Sequence, residues 1–235
     1  MIVIFASPYD AAARSLVRRW ADHGAAELTH RDLSQAGWRH QLPQQPHATA
    51  VIERRLTPVT EIGGVLVRWP AVFEQELVDI VPSERAYVAS EMTAFLRSWL
   101  TQLRCPVVNR PSAGSLVGPS WRPERWVHAA AQLGIPVRPV RRRVAWPDVR
   151  DLQHEPDDHA SVTVVGEHTF GPVHPTLAAH ARRLAAAAGT VLLGVHFSHA
   201  DADAVLLSAD PMPELDAPVA DAILAHLLDN GGRGS

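Results

Sequence analysis

The side chains best equipped for chemistry gather late in the chain: His196, His199, Asp201, Asp203 and Asp210 all lie between positions 196 and 210. An imidazole beside a carboxylate can move a proton near neutral pH. Two histidines three apart near acids could also ligate a transition metal. Spacing opposes the metal, because positions of opposite parity on a strand face opposite sides of its sheet. Asp201-Ala202-Asp203 is ordinary turn chemistry. His196 and Asp210 are therefore the candidate acid–base pair, and no metal site and no cofactor is expected.

A second group, Arg68, Asn109, Arg110 and Ser112, falls where predicted parallel strands end. Open α/β sheets place ligands at such carboxyl ends. Arg68 and Arg110 could fork onto a carboxylate or phosphate; structural pairing with Glu74 or Glu91 is the alternative. His168 and His174 flank Thr169–Pro172 and are read as surface histidines at a strand end. Ser7 ends the first predicted strand but lacks the glycines of a nucleophile elbow. The loop from Ser112 to Ser120 holds glycines without leading into a phosphate-binding helix start of known type.

The chain has no lysine, so all 22 of its basic Lys/Arg residues are arginine. Arginine cannot lose its proton, which excludes Schiff-base chemistry, lysine-activated hydrolysis and the Walker-type phosphate loop. A formal charge of -3 gives no electrostatic reason to expect nucleic acid as a partner. The one basic run, Arg138 with Arg141–Arg143, is short and lacks interleaved aromatics. The single Cys105 excludes an intrachain disulfide and a cysteine zinc site, and reads as a small buried hydrophobe. No apolar run approaches a membrane span, and Met1–Phe5 lacks the pattern of a signal peptide, so a cytoplasmic protein with no membrane partner is expected.

The elements that must position these residues alternate. Ile2–Ala6 reads as a buried strand, followed by a helix capped by Asp10 with Ala11, Leu16, Val17 and Trp20 as its stripe. Strands are predicted at Ala26–Thr29, Ala50–Glu53, Gly64–Arg68 and Pro106–Asn109. Helices are predicted from Ser83 to Gln102, with Tyr87, Met92, Phe95, Leu96 and Trp99 inward, and from Pro123 to Leu133, closed by Gly134. From Pro136 the texture changes. Val137–Val144 reads as an antiparallel strand and Asp148–Ala160 as an acidic loop. Hairpins follow at Val162–Phe170 and Val191–Ser208, and helices at Pro175–Ala188 and Ala217–Leu228. The expectation is α/β: a Rossmann-like parallel sheet followed by a smaller α+β subdomain with an antiparallel sheet. The predicted domains are 1–121 and 122–230, with 231–235 a flexible tail. Seven tryptophans are read mostly as core, with Trp121, in a loop, a candidate interface residue.

The order of elements resembles the ATP-grasp superfamily, especially peptide and amino-acid ligases with a pre-ATP-grasp domain. Gly64-Val65-Leu66-Val67-Arg68-Trp69-Pro70 is similar to the strand that ends in an arginine beside the substrate cleft. Pro106–Pro111, the helix His128–Gly134 and Ile135-Pro136 are similar to the family's crossover. Gly194-Val195-His196-Phe197 and Ser208–Pro213 are similar to its closing hairpin. The resemblance implies magnesium on three oxygen ligands of that hairpin, at positions held here by His196, Ser208 and Asp210. An imidazole and a hydroxyl in place of two acids remove most of the charge that holds this hard cation. The nucleotide-binding lysines have no counterpart. Only about twenty residues fill the interval where the glycine-rich lid belongs.

Together these readings predict an ATP-grasp-like protein that is catalytically degenerate. It would act as a binding or partner protein in an amide-forming or peptide-modifying biosynthetic pathway. The expected partners are a second copy or another protein, with a peptide or small carboxylate as ligand. The alternatives are an ATP-independent enzyme using His196 and Asp210, and a ligase completed by a partner chain.

Overall fold

The computed structural model describes residues 1–43, 45, 47–138 and 159–231, which form two compact units, 1–120 with 215–231, and 121–214. In the first, β1 (Ile2–Phe5) is buried at every residue, as a strand between two parallel neighbours must be. Asp10 caps α1 (Ala11–Arg19), its Oδ1 accepting from the Ala13 amide at 3.0 Å. The inward row is Ala13, Leu16 and Trp20, a 3–4 spacing; Ala11, expected in that row, sits two residues out of phase and is exposed.

Then come β2 (Ala25–Leu28), α2 (His30–Leu33), β3 (Thr49–Ile52), β4 (Arg55–Pro58), β5 (Gly64–Val67), α3 (Arg85–Gln102) and β6 (Val107–Val108). The parallel sheet runs β2-β1-β5-β6. The strand expected at Ala50–Glu53 stands outside it. It pairs instead with β4 in a separate antiparallel hairpin turned at Glu53 and Arg54. Strand β4 escaped sequence reading because Arg-Leu-Thr-Pro is mostly exposed and carries no apolar alternation.

Helix α3 starts two residues later than expected, after a 3-10 turn over Pro82–Glu84, and Ser83 does not cap it. Its buried row is Ala89, Leu96, Trp99 and Leu100. Tyr87 is 65% exposed: two residues before Ala89 is about 200° around the helix, the opposite face. Phe95 is covered by Trp38, which also meets Trp99 edge-on at 5.4 Å.

The second unit begins with α4 (Pro123–Gln132), whose chain reversal uses Gly134 at φ +69°. It continues with β7 (Ala160–Val165), β8 (His168–Phe170), α5 (Pro175–Ala188), β9 (Leu192–Phe197) and β10 (Leu206–Asp210). These strands form an antiparallel sheet ordered β10-β9-β7-β8. Helices α4 and α5 cover one face, burying Val162, Val164, Leu193, Val195, Phe197 and Leu206 against Trp126, Leu177, Ala181 and Leu184. Of the strand expected at Val137–Val144, Val137 makes an isolated parallel bridge to Leu206. The Arg138 amide bonds the Leu206 carbonyl at 3.4 Å, and positions 139–144, with the acidic loop up to position 158, lie outside the described residues.

The last helix, α6 (Ala217–Gly231), returns to the first unit. There Leu227 packs where a side chain on Gly64 of β5 would stand, 3.1 Å from a Cβ at that position. No helix among the described residues is long and apolar enough to cross a membrane.

Candidate functional site

Two polar regions of the fold contain the six predicted site residues. The first is the carboxyl edge of the parallel sheet, at the point where the chain, having built β2 on one side of β1, crosses to β5 on the other. Open α/β sheets bind ligands at this switch point. Here Arg68 follows β5, its amide bonded to the Phe5 carbonyl at 2.8 Å. Its Nε donates to Asp10 Oδ2 at 2.8 Å, with both side chains largely buried. Asp10 thus caps α1 with one oxygen and holds Arg68 with the other. Neither Glu74 nor Glu91, the partners considered from the sequence, pairs with Arg68. One more face of that guanidinium, Nη1, is buried and has no hydrogen-bond partner among the described residues. Beside it Ser7 Oγ donates to the Glu76 carboxylate at 3.0 Å.

The other three residues at this edge are engaged with main chain. Asn109, 2% exposed, donates through Nδ2 to the Val117 carbonyl at 3.2 Å. Arg110 donates to the carbonyls of Leu100, Leu103 and Cys105 at 3.2–3.4 Å. Two of these, Leu100 and Leu103, are acceptors at the end of α3, where a cation is favoured. Ser112 closes a turn, its amide bonded to the Ser115 carbonyl at 2.8 Å. Cys105 nearby is largely buried, and burial pushes its thiol up to about 11, so it is neither nucleophile nor ligand at neutral pH.

The second region is the face of the antiparallel sheet turned away from α4 and α5. Register builds it in two rows. Ser161 of β7, His196 of β9 and Ser208 of β10 stand side by side; Thr163, Gly194 and Asp210 form the next row. His196, Ser208 and Asp210, which the sequence could only align, therefore share one face. His196 Nδ1 lies 2.9 Å from Ser161 Oγ, and the His159 ring meets the His196 ring edge-on at 5.2 Å. Asp210 stands directly opposite Gly194, diagonal to His196, a separation of roughly 7–8 Å between Cα atoms. Its Oδ1 accepts from the Met212 amide at 2.8 Å, bracing the turn after β10. Gly194 is required: a Cβ there would lie 2.9 Å from Pro213.

Ser161 is the member of this region that sequence reasoning missed. Nothing local distinguishes it; only the β7–β9 register brings it to His196. The turn histidine His199 bonds Asp203 at 3.0 Å and Ser198 at 2.9 Å, apart from the His196 row. Trp121 packs on Trp126 at 4.6 Å under the Arg125 guanidinium. Among the described residues no three His, Cys, Asp or Glu side chains gather as a metal site.

No family model matches the chain, and no curated protein is similar to it in sequence. Solved structures are similar along nearly its whole length. One is the ATP-grasp ligase PsnB complexed with a minimal precursor, with 12% identity, TM-score 0.64, and 95% of this chain and 97% of that one covered. Another is the macrocyclase MdnC bound with precursor peptide MdnA, from Microcystis aeruginosa, with 12% identity, TM-score 0.64, and 97% and 99% covered. A third is a Chryseobacterium gregarium RiPP-associated ATP-grasp ligase in complex with ADP and a leader and core peptide, with 9% identity, TM-score 0.66, and 97% and 96% covered. The fold of this chain is ATP-grasp-like.

That fold raises the question of magnesium, and the three hairpin positions that the resemblance assigns to it carry a donor set that does not suit a hard cation. Magnesium wants hard oxygen ligands in octahedral array. The three positions supply an imidazole bonded to a serine, a hydroxyl, and one carboxylate that already accepts a main-chain amide.

Proposed function

We propose that this protein is a catalytically degenerate ATP-grasp-like protein that binds a peptide, alone or with a partner protein, in a peptide-modifying biosynthetic pathway. The observation that carries the reading is the row His196–Ser208 with Asp210 on one open sheet face, where a ligase would need clustered acids. The missing lysines and the short interval after Val137 agree with it. The peptide context rests on the similar solved structures, which are complexes with precursor or leader and core peptides. At the parallel-sheet edge, Arg68 is the residue of the four proposed to meet a ligand carboxylate. Its Nη1 lacks an acceptor among the described residues, whereas Asn109 and Arg110 are committed to carbonyls.

Calorimetric titration with ATP and magnesium tests this. No saturable heat is expected; micromolar binding that requires magnesium would end the proposal.

A second reading is an ATP-independent enzyme on the antiparallel face, with His196 as base. The contact favouring it is His196 with Ser161, a hydroxyl and an imidazole at 2.9 Å, the geometry in which a base activates a nucleophile. His196→Ala should then abolish turnover of a peptide ester without lowering the melting temperature.

A further inference from the structure

A cavity of about 310 Å³ opens at the carboxyl end of β2, in the first unit, and none of the six predicted site residues lines it. Arg31, Arg54, His30, Asp79, Leu77 and Ile80 line it. Its walls are tied together by one buried carboxylate. Asp32, 4% exposed, accepts from the Thr29 amide at 3.0 Å and from the Arg54 amide at 2.9 Å. It thereby locks α2 to the β3–β4 turn. That turn holds Glu53 at φ +49° and Arg54 at φ +62°, a left-handed conformation that side chains other than glycine keep only when their surroundings impose it.

Two guanidinium groups in this cavity have no direct partner among the described residues. Arg31 and Arg54 make no ion pair or side-chain hydrogen bond among the described residues. Asp79 and the buried Asp32 balance the two positive charges, so the guanidinium groups offer free N–H donors with no surplus of charge. His30 is 5% exposed, with its ring 5.8 Å from that of Trp69 and its Nδ1 buried without a partner among the described residues. Burial, reinforced by Arg31, pushes its pKa down, so it supplies a neutral imidazole and no further charge. Leu77 and Ile80 add an apolar surface.

We propose that this cavity binds a small organic monocarboxylate, its carboxylate between Arg31 and Arg54 and its apolar body on Leu77 and Ile80. The charge balance selects the class. A phosphate dianion would bring two negative charges to a site that already holds Asp79 and Asp32, a monocarboxylate brings one, and a bare inorganic anion would leave the apolar wall unused. The volume sits at the small end of ligand pockets. The site does not depend on the function proposed above.

The test is calorimetric titration of the full chain with sodium butyrate, with sodium phosphate and n-butanol as separate arms. Butyrate is expected to bind saturably and more tightly than either. R31Q and R54N should each weaken it about tenfold or more, the loss of one charge-assisted hydrogen bond. Asparagine is chosen at 54 because it tolerates the left-handed turn. R31K, which keeps the charge, should recover most of the affinity. Absence of saturable butyrate binding, phosphate binding as tight as butyrate, or unchanged affinity in an R31Q/R54N protein that melts like the parent would each overturn the proposal.

Discussion

The carboxyl edge of the parallel sheet and the open face of the antiparallel sheet are both polar, yet they use polarity differently. At the parallel edge nearly every polar group is spent on another part of the scaffold: Asp10 on α1 and Arg68, Asn109 on Val117, Arg110 on the end of α3. On the antiparallel face Ser161, His196 and Ser208 stand in a cross-strand row, Ser161 exposed and the other two half-buried. Residues of the first kind hold loops and helix ends in place, whereas those of the second kind bond mainly to one another across strands. Position at a strand end nominates a residue; the fate of its hydrogen bonds decides what it does.

That contrast can be broken by mutation. The largest effect belongs to Asp10→Ala, which removes a helix cap and leaves Arg68 as a largely buried charge without its partner. It should cost about 3–5 kcal/mol, read as a lower urea midpoint. Arg110→Ala comes next, at roughly 1–3 kcal/mol, because the carbonyls ending α3 lose their donor. Ser161→Ala, on the open face, should change stability by no more than about 0.5 kcal/mol. If Ser161→Ala proves as costly as Asp10→Ala, the division between scaffold and open face is wrong.

A smaller effect sharpens the picture through pH. Burial lowers the pKa of His30, His40, His180 and His226 from 6.5. The unfolded chain therefore binds protons that the folded one refuses. Stability from these groups is complete above the unfolded value of 6.5 and falls as pH drops below it. Urea midpoints should decline from pH 7 to pH 5, and His30→Asn should flatten that decline.

Much of the fold was legible because its signals are local. An apolar run gave β1, Asp10 as a cap gave the start of α1, and Pro175 through Ala188 gave α5. The change of texture expected at residue 136 rests on Val137–Val144, of which only positions 137 and 138 lie among the described residues. What stayed hidden depends on distant partners. The exposed β4 exists by pairing with β3, and the contact of Ser161 with His196 depends on register across 35 residues. Tyr87, expected inward, is aromatic but out of phase with Ala89 and stays exposed. The alignment of His196, Ser208 and Asp210 could be made from sequence, but their sharing of one face needed the bulge between Leu206 and Ser208 that sets the β10 register.

The central claim is that two side chains, an imidazole and a hydroxyl, stand where carboxylates would have to hold a divalent cation. Manganese, watched by electron paramagnetic resonance as it is titrated into the parent and into H196D/S208E, tests it most directly. The account predicts that the parent leaves the manganese signal free while the double variant captures it. Manganese held by the parent as tightly as by the variant would contradict it.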